Sequence, residues 1–167
     1  LILAAYARIA SDGFEGIRTR DVAADAGVNI GTLHYYFPGK EDLIRAAVRH
    51  TTAKFAATLS REGTPVEQLR GHLEGLRKLL KTDQTLFAVS SEIALRAARD
   101  PAIAEVVGQG ERGWQTYLED LVSRGVEQGS LDPGLESEGV AAVLVSAIKG
   151  LSMPTVGSAR AERIDRT

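Results

Sequence analysis

The chain has 167 residues, a net charge of −2 and no cysteine, with 44% hydrophobic and 25% charged residues. This composition is that of an ordinary globular protein with a buried core, which excludes disordered, collagen-like and coiled-coil classes. The lack of cysteine excludes a disulfide scaffold, a thiolate zinc site and a cysteine nucleophile, and it fits a reducing cytoplasm. No stretch approaches ~18 uncharged apolar residues, so we expect no membrane span. The near-neutral charge gives no bulk attraction to nucleic acid, so any DNA binding needs locally placed residues.

Every long segment carries the helical period of hydrophobic residues, and none carries the two-residue period of a strand. The first helix is already under way at the start of the chain, so we expect further residues upstream, and it ends near Gly13. A short helix begins at Thr19, a good capping residue, and stops at Gly27. Asn29 is expected to cap another short helix that runs through Tyr36.

Longer helices with apolar faces follow, and capping residues or prolines mark where they begin. We predict these starts at Lys40, Thr64-Pro65, Asp83, Asp100-Pro101 and Glu136. The last full helix is expected to end at Met153, and another to begin after Gly157. The sequence thus predicts an all-α fold of about eight helices, with an N-terminal three-helix unit over residues 1–50 and a larger helical body over residues 51–167. The helix that begins near Lys40 joins the two.

Residues 19–40 are the most informative stretch. Small apolar residues give it a close-packing inner face, and Gly27 supplies a turn between two short helices, which is the pattern of a helix-turn-helix. The second helix has polar and aromatic side chains on its outer side, and no acid lies between Asp25 and Glu41. This helix can therefore approach phosphates without repulsion.

Tyr35, Tyr36 and Phe37 admit a second interpretation, because large aromatic side chains are mostly buried. Phe37 fits a core position. Two adjacent tyrosines on one helix, however, cannot both face the same core.

The stretch resembles the DNA-binding domain of the TetR family of bacterial repressors. The family pattern is a threonine, an Ile/Val-Ala pair, Ala-Gly-Val-Ser, Gly-Thr-Leu-Tyr, an aromatic pair and Lys-Glu-x-Leu. The matching residues are Thr19, Val22-Ala23, Ala26-Gly27-Val28-Asn29, Gly31-Thr32-Leu33-His34, Tyr35-Tyr36-Phe37 and Lys40-Glu41-Asp42-Leu43. The similarity is clear over residues 1–50, whereas beyond them only the helical pattern agrees.

The resemblance implies a role for each matching residue. Thr19 and Lys40 would hold phosphates at the two ends of the motif, and His34 and Tyr36 would also contact the DNA backbone. The residues that would face base edges in the major groove are Asn29, Ile30, Gly31, Thr32 and Tyr35.

Two positions depart from the family pattern, since Asn29 replaces a serine and His34 replaces a tyrosine. Asparagine can still cap the helix and can read an adenine edge. His34 can donate to a phosphate, more strongly when protonated, so we expect some pH dependence of operator binding that a His34→Phe variant would lose.

The resemblance also implies that the helical body dimerises and binds a small inducer. Polar groups on otherwise apolar faces indicate where a ligand would lie. Each of them taken alone is more often a satisfied core or surface residue. Together they predict a mostly apolar cavity for an uncharged or weakly polar, partly aromatic ligand. Its predicted lining is Phe55, His72, Leu76, Phe87, Ser91, Trp114 and Tyr117.

The last full helix suits dimerisation, because Val140, Leu144, Ile148 and Leu151 share one face. That face would equally suit burial within one subunit, and the resemblance favours the interface. A two-fold dimer would hold two recognition helices roughly 34–36 Å apart and bind a palindromic operator.

Residues 108–113 read GQGERG, a literal GxGxxG. A dinucleotide site needs a strand before this loop, whereas the flanking residues predict helix, so we interpret the segment as a thin or kinked helix start. The three histidines, His34, His50 and His72, lack the spacing of metal ligands. We expect neither a metal nor a cofactor.

The sequence therefore predicts a dimeric, non-enzymatic transcriptional regulator, a repressor that a small inducer releases from DNA. Two alternatives stay open. A small helical enzyme would use the body cavity, with the GxGxxG segment near a phosphate, and would turn over a nucleotide. An interaction module would dock its aromatic helix on a protein. Competition by salt and by nonspecific DNA would distinguish such protein docking from DNA binding.

Overall fold

The computed structural model describes residues 1–152, apart from the side chains of Gln84, Leu151 and Ser152. All regular structure in this range is helical, which confirms the all-α prediction. The helices are α1 (Ile2–Gly16), α2 (Thr19–Asp25), α3 (Ile30–Tyr36), α4 (Lys40–Ala56), α5 (Pro65–Thr82), α6 (Gln84–Ala97), α7 (Pro101–Glu127) and α8 (Ser137–Ser152). The helix end predicted at Met153 and the helix expected after Gly157 lie outside the described residues. Within the described range, no helix combines the length and apolar character that crossing a membrane requires.

The chain folds into two compact units. Unit 1 consists of Leu1–Ala53 and Gln84–Val107, so it holds α1 to α3, most of α4, α6 and the start of α7. Unit 2 consists of Lys54–Asp83 and the described residues from Gly108 onward, so it holds α5, most of α7 and α8. Packing therefore groups α6 with the N-terminal helices. The functional division at residue 50 stays a prediction.

Unit 1 has a single hydrophobic core in which α6 packs along α1. α1 breaks its helical geometry at Gly13, whose φ is 67°, and resumes to Gly16, so the helix end expected near Gly13 is a kink. The core residues are Ala5, Tyr6, Ile9, Phe14, Ile17, Val22, Ala23, Leu33, Leu43, Ile44, Ala47, Val48, Val89, Ile93 and Ile103. Full burial of each large aliphatic or aromatic side chain stabilises the fold by roughly 1.5–3 kcal/mol.

Unit 2 buries the apolar stripes of α5 and α7. Leu76 and Leu80 are buried on α5, and Leu118, Leu121 and Val122 are buried on α7, as their helical spacing predicts. Within the same unit, the Lys54 ammonium donates to the Asp83 carboxylate at 2.8 Å, which ties the end of α4 to the end of α5.

Side chains that accept from backbone N–H groups mark the starts of four of the eight described helices. The side-chain oxygens of Asn29, Thr64, Asp100 and Glu136 accept from the first turns of α3, α5, α7 and α8. The expectation for Thr19 is wrong: Thr19 is the first residue of α2, Arg18 is the N-cap, and no side chain caps this helix. Arg18 already has the extended conformation that ends a helix at its N-terminus.

A tight turn at Gly27 joins α2 to α3. Gly27 has a φ of 66°, in the left-handed region that favours glycine. The Val28 N–H donates to the Ala23 carbonyl and the Gly27 N–H to the Ala24 carbonyl, both at 3.0 Å. These two bonds form a Schellman motif, which satisfies the carbonyls at the end of α2.

We predict that Gly27→Ala lowers the free energy of unfolding by about 1–2 kcal/mol, because alanine is strained at positive φ. A Cβ at this position meets nothing within 4 Å, so strain acts here without a clash. The matched control is Gly113→Ala in α7, where a Cβ also has open space but the backbone is helical, and it should raise stability by about 0.5–1 kcal/mol. Urea unfolding measures both. Equal effects of the two variants would contradict the role of the turn.

Candidate nucleic-acid interface

The helix α3 is held to unit 1 by one side chain. Leu33 is its single buried residue, with 0% exposure, and Phe37, just after the helix, is half-buried against the core. The remaining residues of α3 leave most of its surface to solvent. The helix therefore presents nearly all its side chains outward.

Both tyrosines of α3 face solvent. Tyr35 is 81% exposed and Tyr36 is 64% exposed, which rules out the interpretation that they are packing residues. Their rings meet edge to face with centroids 5.1 Å apart, so each ring restrains the other. Asn29, Ile30, Gly31 and His34 are exposed beside them, and Thr32 is half-buried.

The start of α3 is fixed by Asn29. Its Oδ1 accepts from the Thr32 N–H at 2.8 Å, so the predicted cap is confirmed. A Cβ on Gly31 would lie 3.1 Å from this oxygen. Glycine at this position therefore leaves room for the Asn29 cap, and it also lets another molecule approach the backbone closely. Whether Asn29 also reads an adenine edge stays a prediction.

Basic residues in this region fall into two groups. Arg8 binds Asp25 at 2.6 Å, and Arg45 binds Asp42 at 2.7 Å. The hydrogen bond from Arg8 holds the pKa of Asp25 below its ordinary value. These pairs neutralise Asp25, at the end of α2, and Asp42, in the first turn of α4.

Three cations flank the motif without a carboxylate partner among the described residues: Arg18, Arg20 and Lys40. Arg18 and Arg20 stand on either side of the half-buried Thr19 at the start of α2, and Lys40 begins α4. Lys40 is a predicted phosphate ligand, whereas Arg18 and Arg20 are not among the predicted DNA contacts. Their position next to Thr19 was the available signal.

The predicted ligand residues divide between the two units. Phe55, His72, Leu76, Trp114 and Tyr117 belong to unit 2, and Phe87 and Ser91 belong to unit 1. Leu76 and Phe87 are buried, and the Ser91 hydroxyl donates to the Phe87 carbonyl of its own helix. Ser91 is therefore satisfied locally.

His72 is the centre of a directed chain of hydrogen bonds in unit 2. The Trp114 indole N–H donates to His72 Nε2 at 2.7 Å, and an indole can only donate. The proton of the neutral ring therefore lies on Nδ1, which donates to the Thr58 hydroxyl at 2.8 Å. Thr58 in turn donates to the Phe55 carbonyl at 2.6 Å.

Tyr117 also makes hydrogen bonds to the segment between α4 and α5, which contains Thr58 and Ser60. Its hydroxyl donates to the Ser60 carbonyl at 2.7 Å and accepts from the Ser60 N–H. Its ring also packs edge-on against His72. Both ring nitrogens of His72 are thus occupied within the protein, so it is a satisfied core histidine in this structure.

Two family models match the chain. Residues 1–47 match the model described as bacterial regulatory proteins of the TetR family. Residues 65–166, more than half of the 167 residues, match the model described as the C-terminal part of BetI-type transcriptional repressors. The chain belongs to the TetR family. It is a helix-turn-helix transcriptional regulator.

Individual relatives agree with this membership. The transcriptional regulator CymR of Pseudomonas putida is 25% identical over 175 aligned residues, covering 99% of this chain and 82% of CymR. The transcriptional repressor KstR2 of Mycobacterium tuberculosis is 23% identical over 140 residues, covering 81% of this chain and 70% of KstR2. A TetR transcription regulator from Haloarcula marismortui shares the fold, with a TM-score of 0.86 and 20% identity over 99% of this chain and 88% of that chain.

The GQGERG segment of this TetR-family regulator lies inside α7, which continues through it from Pro101 to Glu127. The expectation of a helix start is therefore wrong. A GxGxxG loop binds a pyrophosphate by leaving a strand and opening a helix, and a mid-helix segment has no such free N–H groups.

In the last helix, α8, the most exposed apolar residue does not belong to the predicted dimer face. Ile148 is 7% exposed within a single subunit, and Val140 and Leu144 are half-buried. Val143, in contrast, is 67% exposed. The side chain of Leu151 lies outside the described residues.

We predict that the TetR-family regulator loses stability on acidification through His72. Burial lowers the pKa of His72 below its ordinary value, and a second ring proton would face the Trp114 N–H. A group with a lowered pKa contributes stability that is complete above the ordinary histidine value of about 6.5 and is lost as the pH falls through it toward the folded value.

His72→Gln should therefore lower the free energy of unfolding by about 1–3 kcal/mol near pH 7.5, where Thr58 or Trp114 loses a partner. It should also flatten the fall in stability toward about pH 5.5. Urea unfolding followed by far-UV circular dichroism measures both. The control, His34→Gln, changes an exposed histidine and should keep the parent's pH response; an equally acid-sensitive His72→Gln would contradict the assignment.

Proposed function

We propose that this chain is a repressor that binds a palindromic operator as a homodimer and leaves it when a small inducer binds. The observation that carries the proposal is the acid-free, outward-facing surface of α3 between the cations Arg18, Arg20 and Lys40. Such a surface attracts phosphates at its ends and offers side chains to the major groove between them. A regulator of bacterial DNA acts in the cytoplasm, and we assign this chain there.

Each residue of the interface has a proposed role. The residues that read base edges are Asn29, Ile30, Gly31, Thr32 and Tyr35. Those that hold phosphates are Thr19, His34, Tyr36 and Lys40, joined by Arg18 and Arg20. The two arginines supply charge that the sequence-derived set lacked, since that set contains one permanent cation.

Operator selection from random duplex DNA tests this function. The parent protein should enrich a palindrome, and Tyr35→Ala should lose or relax the preferred bases because it removes a contact to base edges. Lys40→Ala should instead weaken binding to all sequences and lower the slope of log K against log salt by about one.

Lys78→Ala, at an exposed cation of α5 in unit 2, serves as the control and should change neither sequence preference nor slope. A folded parent protein that enriches no DNA sequence would reject the proposed function. Equal losses in Tyr35→Ala and Lys78→Ala would reject the assignment of α3.

The inducer is proposed to bind the helical body. Phe55, Leu76, Trp114 and Tyr117, which all belong to unit 2, are the candidate ligand contacts, while the roles of Phe87 and Ser91 in unit 1 stay predictions. The seven predicted residues carry no permanent charge, which favours an uncharged or weakly polar ligand. His72 is assigned to supporting Trp114. By linkage, an inducer must weaken operator binding by the factor by which the operator weakens inducer binding.

The proposed dimer interface lies on the exposed face of α8. Val143 is 67% exposed, and Ala147 and Gly150 follow it on the same helical face. Small residues at these positions allow two helices to approach closely. This face replaces the predicted one, with the half-buried Val140 and Leu144 at its border, because Ile148 is used within the subunit.

We expect Val143→Arg to convert the dimer to a monomer, since a charge on each copy would be buried against its equivalent. Analytical ultracentrifugation measures the change, and operator affinity should fall with it. The matched control is Leu95→Arg on α6, because Leu95 is 64% exposed and Val143 is 67% exposed. A dimer that survives Val143→Arg, or one that Leu95→Arg also breaks, would contradict this interface.

A further inference from the structure

Arg96 joins four helix ends within unit 1. It lies in the last turn of α6, and its Nε donates to Asp100, just before α7, at 3.0 Å. Its Nη1 donates to Glu15 near the end of α1 at 3.3 Å, and its Nη2 donates to both carboxylate oxygens of Glu41 at 3.4 Å. The guanidinium also stands 6.0 Å from the ring centre of the buried Phe14.

The three carboxylates differ in what they can hold in place. Glu15 is 93% exposed, so its pair with Arg96 is screened by solvent. Asp100 is close to Arg96 in sequence, so their pair orders a local segment. Glu41 is 50% exposed and lies on α4, far from Arg96 in sequence, so this contact restrains a different helix.

Glu41 is the residue that directly follows Lys40. Lys40 is the first residue of α4, and three residues, Phe37, Pro38 and Gly39, separate it from the end of α3. The first turn of α4 is also fixed by the Asp42 carboxylate, which accepts from the Gly39 N–H at 3.1 Å. The contact from Arg96 therefore acts on the turn that sets where Lys40 stands relative to α3.

We propose that Arg96 is a positioning residue for operator binding, which it serves by fixing the start of α4 so that Lys40 meets a phosphate while α3 lies in the groove. This inference rests on the proposed DNA-binding function. It assigns to α6 an indirect part in DNA affinity, although none of its residues belongs to the helix-turn-helix.

The decisive comparison is between two glutamates that bind the same arginine. Glu41→Gln removes the contact to α4, and Glu15→Gln removes the contact to α1. A plain charge effect predicts that both substitutions tighten DNA binding, because each removes an acid from unit 1. Positioning predicts that Glu41→Gln weakens binding several-fold and that Glu15→Gln does not.

Arg96→Gln completes the set, with affinities measured against salt for the selected operator. We expect Arg96→Gln and Glu41→Gln each to lower the salt slope by about one, as Lys40→Ala does. Adding Lys40→Ala to either should cause little further loss, because the phosphate contact is already gone. Tighter binding by Glu41→Gln, or full additivity with Lys40→Ala, would overturn the proposal.

Hydrogen exchange on the protein without DNA gives a second readout. The Asp42 and Leu43 N–H groups donate to the Gly39 carbonyl at 3.2 and 3.4 Å. Their exchange should speed up in Arg96→Gln and Glu41→Gln, while the Phe37 N–H at the end of α3 keeps its parent rate. If the parent protein binds no DNA, the proposed function fails, and unchanged exchange at Asp42 and Leu43 would independently overturn the positioning role.

Discussion

Helix α3 depends on the anchors around it. It has seven residues, and an isolated helix below about 12–15 residues is marginal in water. Its stability therefore comes from the burial of Leu33, from the Asn29 cap and from the left-handed turn at Gly27. Because so few residues hold it, the others are released from packing. This is the arrangement that a helix needs when its outer side chains must meet a second molecule.

Within the described part of the chain, the cations of unit 1 divide into paired and unpaired residues. Arg8 and Arg45 are paired with acids of neighbouring turns, while Arg18, Arg20 and Lys40 remain available at the ends of the motif. A chain with a net charge of −2 thus presents a locally basic frame around α3. In the proposed function, it is the placement of charge, more than its total, that attracts phosphates.

Much of the fold could be predicted from the sequence because helix caps are local. Asn29, Thr64 and Asp100 each accept from backbone groups two or three residues away, so their role is readable from a short stretch. Helical geometry also indicated that Tyr35 and Tyr36 cannot both be core residues, and the structure shows that both are exposed.

What the sequence could not predict depends on contacts between distant segments. The period of α8 identifies its apolar residues, but only tertiary packing determines that Ile148 turns inward and Val143 outward. His72 was read as a ligand group, whereas its partners Thr58 and Trp114 lie 14 and 42 residues away. The grouping of α6 with α1 likewise has no local signal, and neither does the contact of Arg96 with Glu41, 55 residues apart.

The hydrogen bond between Trp114 and His72 gives the protein an intrinsic optical probe. The chain contains one tryptophan, and its indole N–H lies on the polar chain of unit 2. The tryptophan emission of this chain therefore comes from a single place in unit 2, and unit 1, which carries α3, contributes none. Events in the helical body can be followed by fluorescence without a label and separately from the contact with DNA.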